Sequence, residues 1–182
     1  ACAPFRRKTY MDKNLEAINA ENTKNIHDLL GNVLVTARYE GDYIVHHHPQ
    51  KETSDICIAL AQSFADIGDI IRGKDLFLGG PSQEKKKIRR KSKKIFENIK
   101  KKKKGLGELS TEKVREYWGA IHKKKVWDAL TCSAPYNAHY FIKSSKDNQS
   151  FSNEHWGHNN NDGPLTNLNY VPQFLQWFEE WA

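Results

Sequence analysis

The densest concentration of chemical function in this sequence is cationic. Residues 85–104 read KKKIRRKSKKIFENIKKKKK, placing Lys85, Lys86, Lys87, Arg89, Arg90, Lys91, Lys93, Lys94, Lys100, Lys101, Lys102, Lys103 and Lys104 against a single acid, Glu97. The 182-residue chain has 29 basic and 22 acidic side chains, a net +7; this segment supplies +12 of it, so the other 162 residues carry −5. A localised run of this kind attracts polyanions by displacing their counterions, whereas a uniformly basic surface mainly tunes solubility and encounter. Sulfated glycan, nucleic acid and anionic membrane are the partner classes it admits. The competing reading is a solvated helix face or a disordered tether with no ligand.

Other residues that could do chemistry are sparser. The triplet His46, His47 and His48 could bind a transition metal, but adjacent histidines on a loop lack preset geometry, and no metal site is expected. His155 and His158 would need a third ligand that the neighbouring sequence does not offer. Asp66 and Asp69, flanking Gly68, could share acid–base work on one helical face, yet carboxylates so placed more often pair with Arg or cap a turn. No nucleophile elbow, phosphate-binding glycine loop or zincin signature occurs, so neither an enzyme nor a cofactor is expected. Cys2, Cys57 and Cys132 match no zinc spacing and are too few for a dense disulfide framework; they are candidate disulfide partners, with at least one left over in a monomer.

The elements that must position these groups read as helices. Apolar residues from Leu15 to Ala37 recur at helical spacing across residues 14–38, with Gly31 as a weak point. Gly41 and Pro49 then predict a surface loop over residues 39–55, with Ser54 or Asp55 capping a second helix that carries Ile56, Leu60, Phe64, Ile67 and Ile71. Inside the basic run, Ile88, Ile95 and Ile99 with Phe96 form an inward stripe, although like-charge repulsion among residues 100–104 opposes the last turns. Ser110 or Thr111 caps a helix with Val114, Tyr117, Trp118 and Ile121 inward, extended through Trp127 and Leu130.

Residues 144–169 are too polar to order themselves and predict a long mobile loop, with Trp156 its exposed aromatic. Pro172 opens a strongly amphipathic helix carrying Phe174, Leu175, Trp177, Phe178 and Trp181, and Trp118, Trp177 and Trp181 are expected in the core. An extended HYFIK around residues 138–143 is the main strand-like stretch. The fold class is all-α, a helical bundle with long loops. No run approaches the roughly 20 apolar residues of a membrane span, and the start lacks a signal-peptide pattern. Opening at ACAPF and stopping within an apolar helix, the chain reads as an excerpt of something longer, so missing targeting signals exclude little.

Six blocks, CAPFRR, DKNLE, SFADIGDIIRGKDLFLG, REYW, VWDALTC and NYVPQFLQWFEEWA, occur in an order and spacing that closely resemble a Duffy-binding-like domain. The resemblance is to the N-terminal head (DBL-alpha) type found in the erythrocyte membrane protein 1 variant surface adhesins of Plasmodium falciparum, and it spans nearly the whole chain. It implies a cysteine-stabilised helical fold, of which residues 1–182 would form about the first two subdomains. It also implies display on the outer face of the infected red cell within a larger membrane-anchored protein, with host-cell receptors and host antibodies as partners. Head domains of this type are associated with rosetting through heparan sulfate-like glycans, blood-group sugars or complement receptor. The sequence departs from the family pattern where Met11 replaces its usual second cysteine and Ser145 one of those after YF, so some of the family's disulfides cannot form.

Two adhesive readings are open. In one, the basic segment engages sulfated glycosaminoglycan; in the other, residues 46–51 and 144–169 contact a protein or neutral-sugar receptor. A nucleic-acid-binding module is the alternative from another class, but the run lacks a docking motif and no nucleic acid is expected.

Overall fold

The computed structural model describes residues 23–48, 54–74, 84–102, 105–137, 139–144, 149–152, 155–157, 164, 166 and 171–176. The described part is all-α: helices α1 (Ile26–His47), α2 (Ser54–Arg72), α3 (Glu84–Lys102) and α4 (Thr111–Leu130), joined by one small hairpin. Helix α4 lies at the centre, packing against each of the other three. Cys2, the helix expected to begin near residue 14, Trp177 and Trp181 lie outside the described residues.

Helix α1 starts where its sequence supplies a capping box. Asn25 accepts at its side chain from the N–H groups of His27 and Asp28 (2.8 and 3.0 Å), and Asp28 accepts in return from the N–H of Asn25 at 3.2 Å. The loop expected over residues 39–55 is corrected here, because α1 continues through Gly41 to His47. The apolar stripe of Leu29, Val33 and Ala37 carries on to Ile44, and the intervening Glu40 is buried, its carboxylate accepting from the Ser63 hydroxyl of α2 at 2.9 Å. Gly41 is a contact residue, not a breaker: a Cβ built there would stand 1.7 Å from the Leu130 carbonyl oxygen at the end of α4.

Helix α2 carries the core face read from its sequence, with Leu60, Phe64 and Ile67 almost fully enclosed. Its end is a Schellman turn. Gly73, at φ +78, donates to the Ile70 carbonyl (3.2 Å), and Lys74 donates to that of Asp69 (2.9 Å). Helix α4 begins at Ser110, whose hydroxyl accepts from the Lys113 N–H at 3.2 Å. Its inward face is Val114, Arg115, Trp118, Val126, Trp127 and Leu130; Tyr117 and Ile121, expected inside, are exposed. The inner face is rotated about the helix axis from the expected one, with the Arg115 guanidinium turned inward to acceptors on α2 and α3.

Trp127 ties the bundle to the hairpin after α4. It meets Phe64 of α2 and Tyr140 edge-on, each with ring centroids 5.4 Å apart, and the Tyr140 hydroxyl donates to the Cys57 carbonyl at 3.2 Å. Burial, helped by the nearby Cys57 thiol, holds that phenol well above the usual tyrosine range. The HYFIK stretch becomes β1 (Phe141–Ser144), antiparallel to β2 (Gln149–Phe151), with Phe141 opposite Phe151 and an irregularity before Lys143.

Order thus extends into the polar stretch that composition marked as loop. Ser152 donates its N–H to the Tyr140 carbonyl and accepts at its hydroxyl from the Tyr140 N–H, both at 2.8 Å. Trp156, expected exposed, is buried at 3 % accessibility, with its backbone in the left-handed region at φ +48. Burying an indole outweighs the order of 1 kcal/mol that a non-glycine residue loses there.

The closing segment also corrects the sequence reading. In the helical turn at 173–176, Gln173 and Gln176 face inward while Phe174 and Leu175 are exposed. The Gln173 amide donates to the buried Asp66 carboxylate at 3.0 Å, so hydrogen bonding, not apolar pattern, sets the rotation of that turn.

The two helical glycines of α1 should respond oppositely to alanine. Gly41→Ala drives a methyl into the Leu130 carbonyl and is expected to lower stability by about 3 kcal/mol, read as a shift in the urea midpoint. Gly31→Ala meets nothing within 4 Å on an exposed face and should raise stability by up to about 1 kcal/mol in the same measurement.

Candidate anion-binding surface

The basic segment is a helix because it carries an apolar stripe. Ile95, Phe96 and Ile99 are buried, while Lys93, Lys94, Lys101 and Lys102 are exposed and Lys91 and Lys100 half-buried. Burying these three apolar side chains contributes about 2 kcal/mol each, which exceeds the few tenths per pair lost to like-charge repulsion. Although repulsion opposes the last turns, α3 runs through Lys102. Cations in a final turn are favoured by the negative end of the helix dipole, and Lys102 donates its ammonium to the Lys24 carbonyl at 3.0 Å. Lys85, Lys86, Lys87, Arg89 and Arg90 belong to the same helix; Lys103 and Lys104 lie outside the described residues.

Arg115 fixes this cationic rod to the body. Its guanidinium is buried and donates from Nε to the Ile71 carbonyl (2.6 Å) and from Nη2 to the Ile70 carbonyl (2.8 Å), closing the C-terminal end of α2. Nη2 also reaches the Ser92 hydroxyl of α3 at 3.1 Å, and the guanidinium carbon sits 5.4 Å from the centroid of the Phe96 ring. Phe96 in turn meets Trp118 edge-on at 6.0 Å. One charge therefore joins α2, α3 and α4. Gly73 is part of the arrangement, since a Cβ there would come within 2.7 Å of Arg115 Nη1. Sequence reading missed Arg115; the signal available was a cation inside the apolar stripe, between Val114 and Trp118.

Two acids share the field of Lys93 on α3. Glu97 lies 4.0 Å from Lys93 one turn earlier. Glu112, at the start of α4, is held below its usual carboxylate range by a hydrogen bond from its own backbone N–H, with the Ser110 hydroxyl, Lys93 and Arg115 assisting. Near the other end, the His122 ring lies 4.7 Å from Trp118. Its pKa is lowered first by burial, then by the charges of Lys125 on the same helix and His27 on α1.

The remaining candidates are structural. Asp69 accepts from the Arg72 guanidinium of the same helix at 2.7 Å, both nearly buried, and Asp66 accepts from Gln173, which ties α2 to the turn at 173–176. His46 and His47 lie on the last turn of α1, where each Nδ1 donates to the carbonyl four residues earlier (2.7 and 3.0 Å), and the His47 ring stacks on Tyr43 at 4.2 Å. His158 lies outside the described residues. Cys57 is buried and Cys132 half-buried, with no bond between the two.

Residues 1–176 match the family model for the Duffy binding domain. The chain belongs to this family. Its Duffy-binding fold is similar along its whole length to the NTS-DBL1-alpha-1 domain of the membrane protein PfEMP1 of Plasmodium falciparum, varO strain, at 47 % identity and a TM-score of 0.83, spanning 43 % of that chain. It is equally covered by the NTS-DBL1-alpha and CIDR-gamma double domain of the same strain, at 50 % identity and a TM-score of 0.79, spanning 27 % of that chain. A PfEMP1 DBL-beta domain solved bound to human ICAM-1 is 31 % identical, with a TM-score of 0.72, over 97 % of this chain and 38 % of its own. Among Duffy-binding domains the resemblance is thus to the DBL-alpha type, and the chain spans under half the length of these relatives. No relative is found among curated proteins.

Two measurements test the anchoring of the Duffy-binding bundle. Arg115→Met should cost about 3 kcal/mol by urea unfolding, because the Ile71 carbonyl and the Ser92 hydroxyl lose the Arg115 donor and the Ile70 carbonyl keeps only that of Gly73, with faster amide exchange in α3 than in α1. His122, whose folded pKa lies below its unfolded value of about 6.5, binds protons more readily when unfolded. Stability should therefore be fully present above pH ~6.5 and decline as pH falls toward the folded value; His122→Gln should flatten that part of the stability–pH profile.

Proposed function

We propose that the chain is an adhesion module, not an enzyme, and that α3 is its contact for sulfated glycosaminoglycan on a host cell. The observation that carries this reading is the division of α3 into a buried stripe locked by Arg115 and an outward array of lysines. A helix of 19 residues is about 28 Å long, so its cations face several sulfates of an extended chain in succession. A packed helix also presents them without the ordering cost that a disordered tether meets on binding. Arg89 and Arg90 supply forked donors and the lysines point charges. The host setting, on the outside of an infected erythrocyte within a longer anchored protein, rests on the relatives in PfEMP1.

A second reading has an observation of its own, since the DBL-beta relative is bound to human ICAM-1. A protein or neutral-sugar receptor, a blood-group glycan among them, would then be met by residues 46–51 and 144–169. Antibodies of the host would be further partners of the module.

Heparin titration against ionic strength separates the two. Under the first reading affinity falls steeply with salt, and changing Lys100, Lys101, Lys102, Lys103 and Lys104 to Ser weakens binding at least tenfold at low salt with a shallower salt slope. Binding that is absent in the wild type, or unchanged in the variant and insensitive to salt, supports the receptor reading instead.

A further inference from the structure

Helix α4 is apolar beyond the face that it packs into the bundle. Tyr117, Ala120 and Ile121 are neighbours on one turn of its surface, and all three are exposed, Tyr117 at 59 % and Ile121 at 73 %. A helix that is apolar on more than one side is ordinarily covered on more than one side. Ala120 also lines an open cleft of about 60 Å³ between α2 and α4, with Phe64, Ile71, Trp118 and Val126 as its walls. The exposed strip and the cleft are therefore one continuous surface. Among the described residues, no part of α3 lines it.

The cleft stays open because Gly119, which also lines it, has no side chain. Glycine is a poor helix former, and the packing does not demand it at this position. A Cβ there would stand 3.6 Å from Arg72 Cγ and 4.0 Å from Arg72 Cδ, which are ordinary contact distances. The fold accepts alanine at 119; the cleft would lose room. Its volume admits the branched end of a leucine side chain but not an aromatic ring, which needs a cavity of about 150 Å³. Trp118 in the wall is only 3 % accessible, and its indole N–H has no acceptor, so the lining includes a buried donor still to be satisfied.

The charged groups that line the cleft, taken with their ion-pair partners, are positive by one. Arg72, Lys74 and Lys123 stand against Asp69 and Glu116, with Arg72 paired to Asp69 at 2.7 Å and Lys74 paired to Glu116. We propose that the α2–α4 cleft docks a polypeptide partner, which inserts one leucine-sized aliphatic side chain and sets an acidic residue beside it at the cationic mouth. Apolar residues of the same partner cover Tyr117 and Ile121. A free aliphatic acid would fill the cleft but leave those two side chains in water. The site lies outside α3 and outside residues 46–51 and 144–169, so it adds a contact to the module and relocates neither adhesive surface.

The test titrates the isotope-labelled 182-residue chain with three blocked dipeptides, Ac-LE-NH2, Ac-LQ-NH2 and Ac-FE-NH2, and follows two-dimensional NMR shifts. Ac-LE-NH2 should give saturable shifts at the backbone N–H groups of Gly68, Gly119 and Ala120, which line the cleft, and at the indole N–H of Trp118. Ac-LQ-NH2 should bind about threefold more weakly for want of one ion pair, and Ac-FE-NH2 should not saturate. Gly119→Ala should melt at or above the wild-type temperature and bind Ac-LE-NH2 about fourfold more weakly, because its methyl group takes the room of one on the guest. Gly31→Ala makes the same change where a Cβ meets nothing within 4 Å, and should bind like wild type. The site is overturned if no peptide gives saturable shifts at these groups, if Ac-FE-NH2 binds as well as Ac-LE-NH2, or if Gly119→Ala binds like wild type. Equal affinity for Ac-LE-NH2 and Ac-LQ-NH2 overturns the acidic neighbour.

Discussion

The arrangement depends on a single buried cation. Arg115 donates to the Ile71 carbonyl and to the Ile70 carbonyl that also accepts from Gly73 at the end of α2, reaches Ser92 of α3, and lies against the Phe96 ring, all from the inner face of α4. Burying a guanidinium is costly unless its donors are used, and here the negative end of a helix dipole and a ring face supply what water would. The consequence is geometric. With Arg115 facing inward, α4 is rotated so that Trp118 meets Phe96, Trp127 meets Phe64, and Tyr117 and Ile121 are turned out to solvent.

Much of this was legible in the sequence where a periodic apolar stripe does the positioning. Leu60, Phe64 and Ile67 in α2, and Ile95, Phe96 and Ile99 in α3, sit inside as spacing predicts, and Ser110 caps α4. The blocks that resemble a Duffy-binding domain lead to the family that the comparisons show. What spacing could not show was decided by polar contacts between distant segments. Glu40 with Ser63 keeps α1 helical past Gly41, and Asp66 with Gln173 turns two glutamines inward at the chain's far end. The partners of these two pairs lie 23 and 107 residues apart, so no local window contains either contact.

The candidate surface was legible only as a linear run. Composition located thirteen cations in residues 85–104, and periodicity separated their helix into an inner and an outer face. It could not show that Lys93 lies in the field of Glu112 while Lys102 docks on the Lys24 carbonyl, because that difference comes from how α4 and the start of α1 approach α3. Charge counting along a chain treats all lysines alike; folding gives each one different neighbours.

Trp156 has a wider significance than its own burial. Its indole, together with the pair of hydrogen bonds between Ser152 and Tyr140, gives the asparagine-rich stretch a fixed root on the bundle. Substitutions or changes of length past residue 157 start from that root, so their effects need not propagate to Trp127 or to the helices behind it. A scaffold with such a mooring can accept sequence change in the loop beyond it and keep the same interior, because loops tolerate change better than the elements they connect.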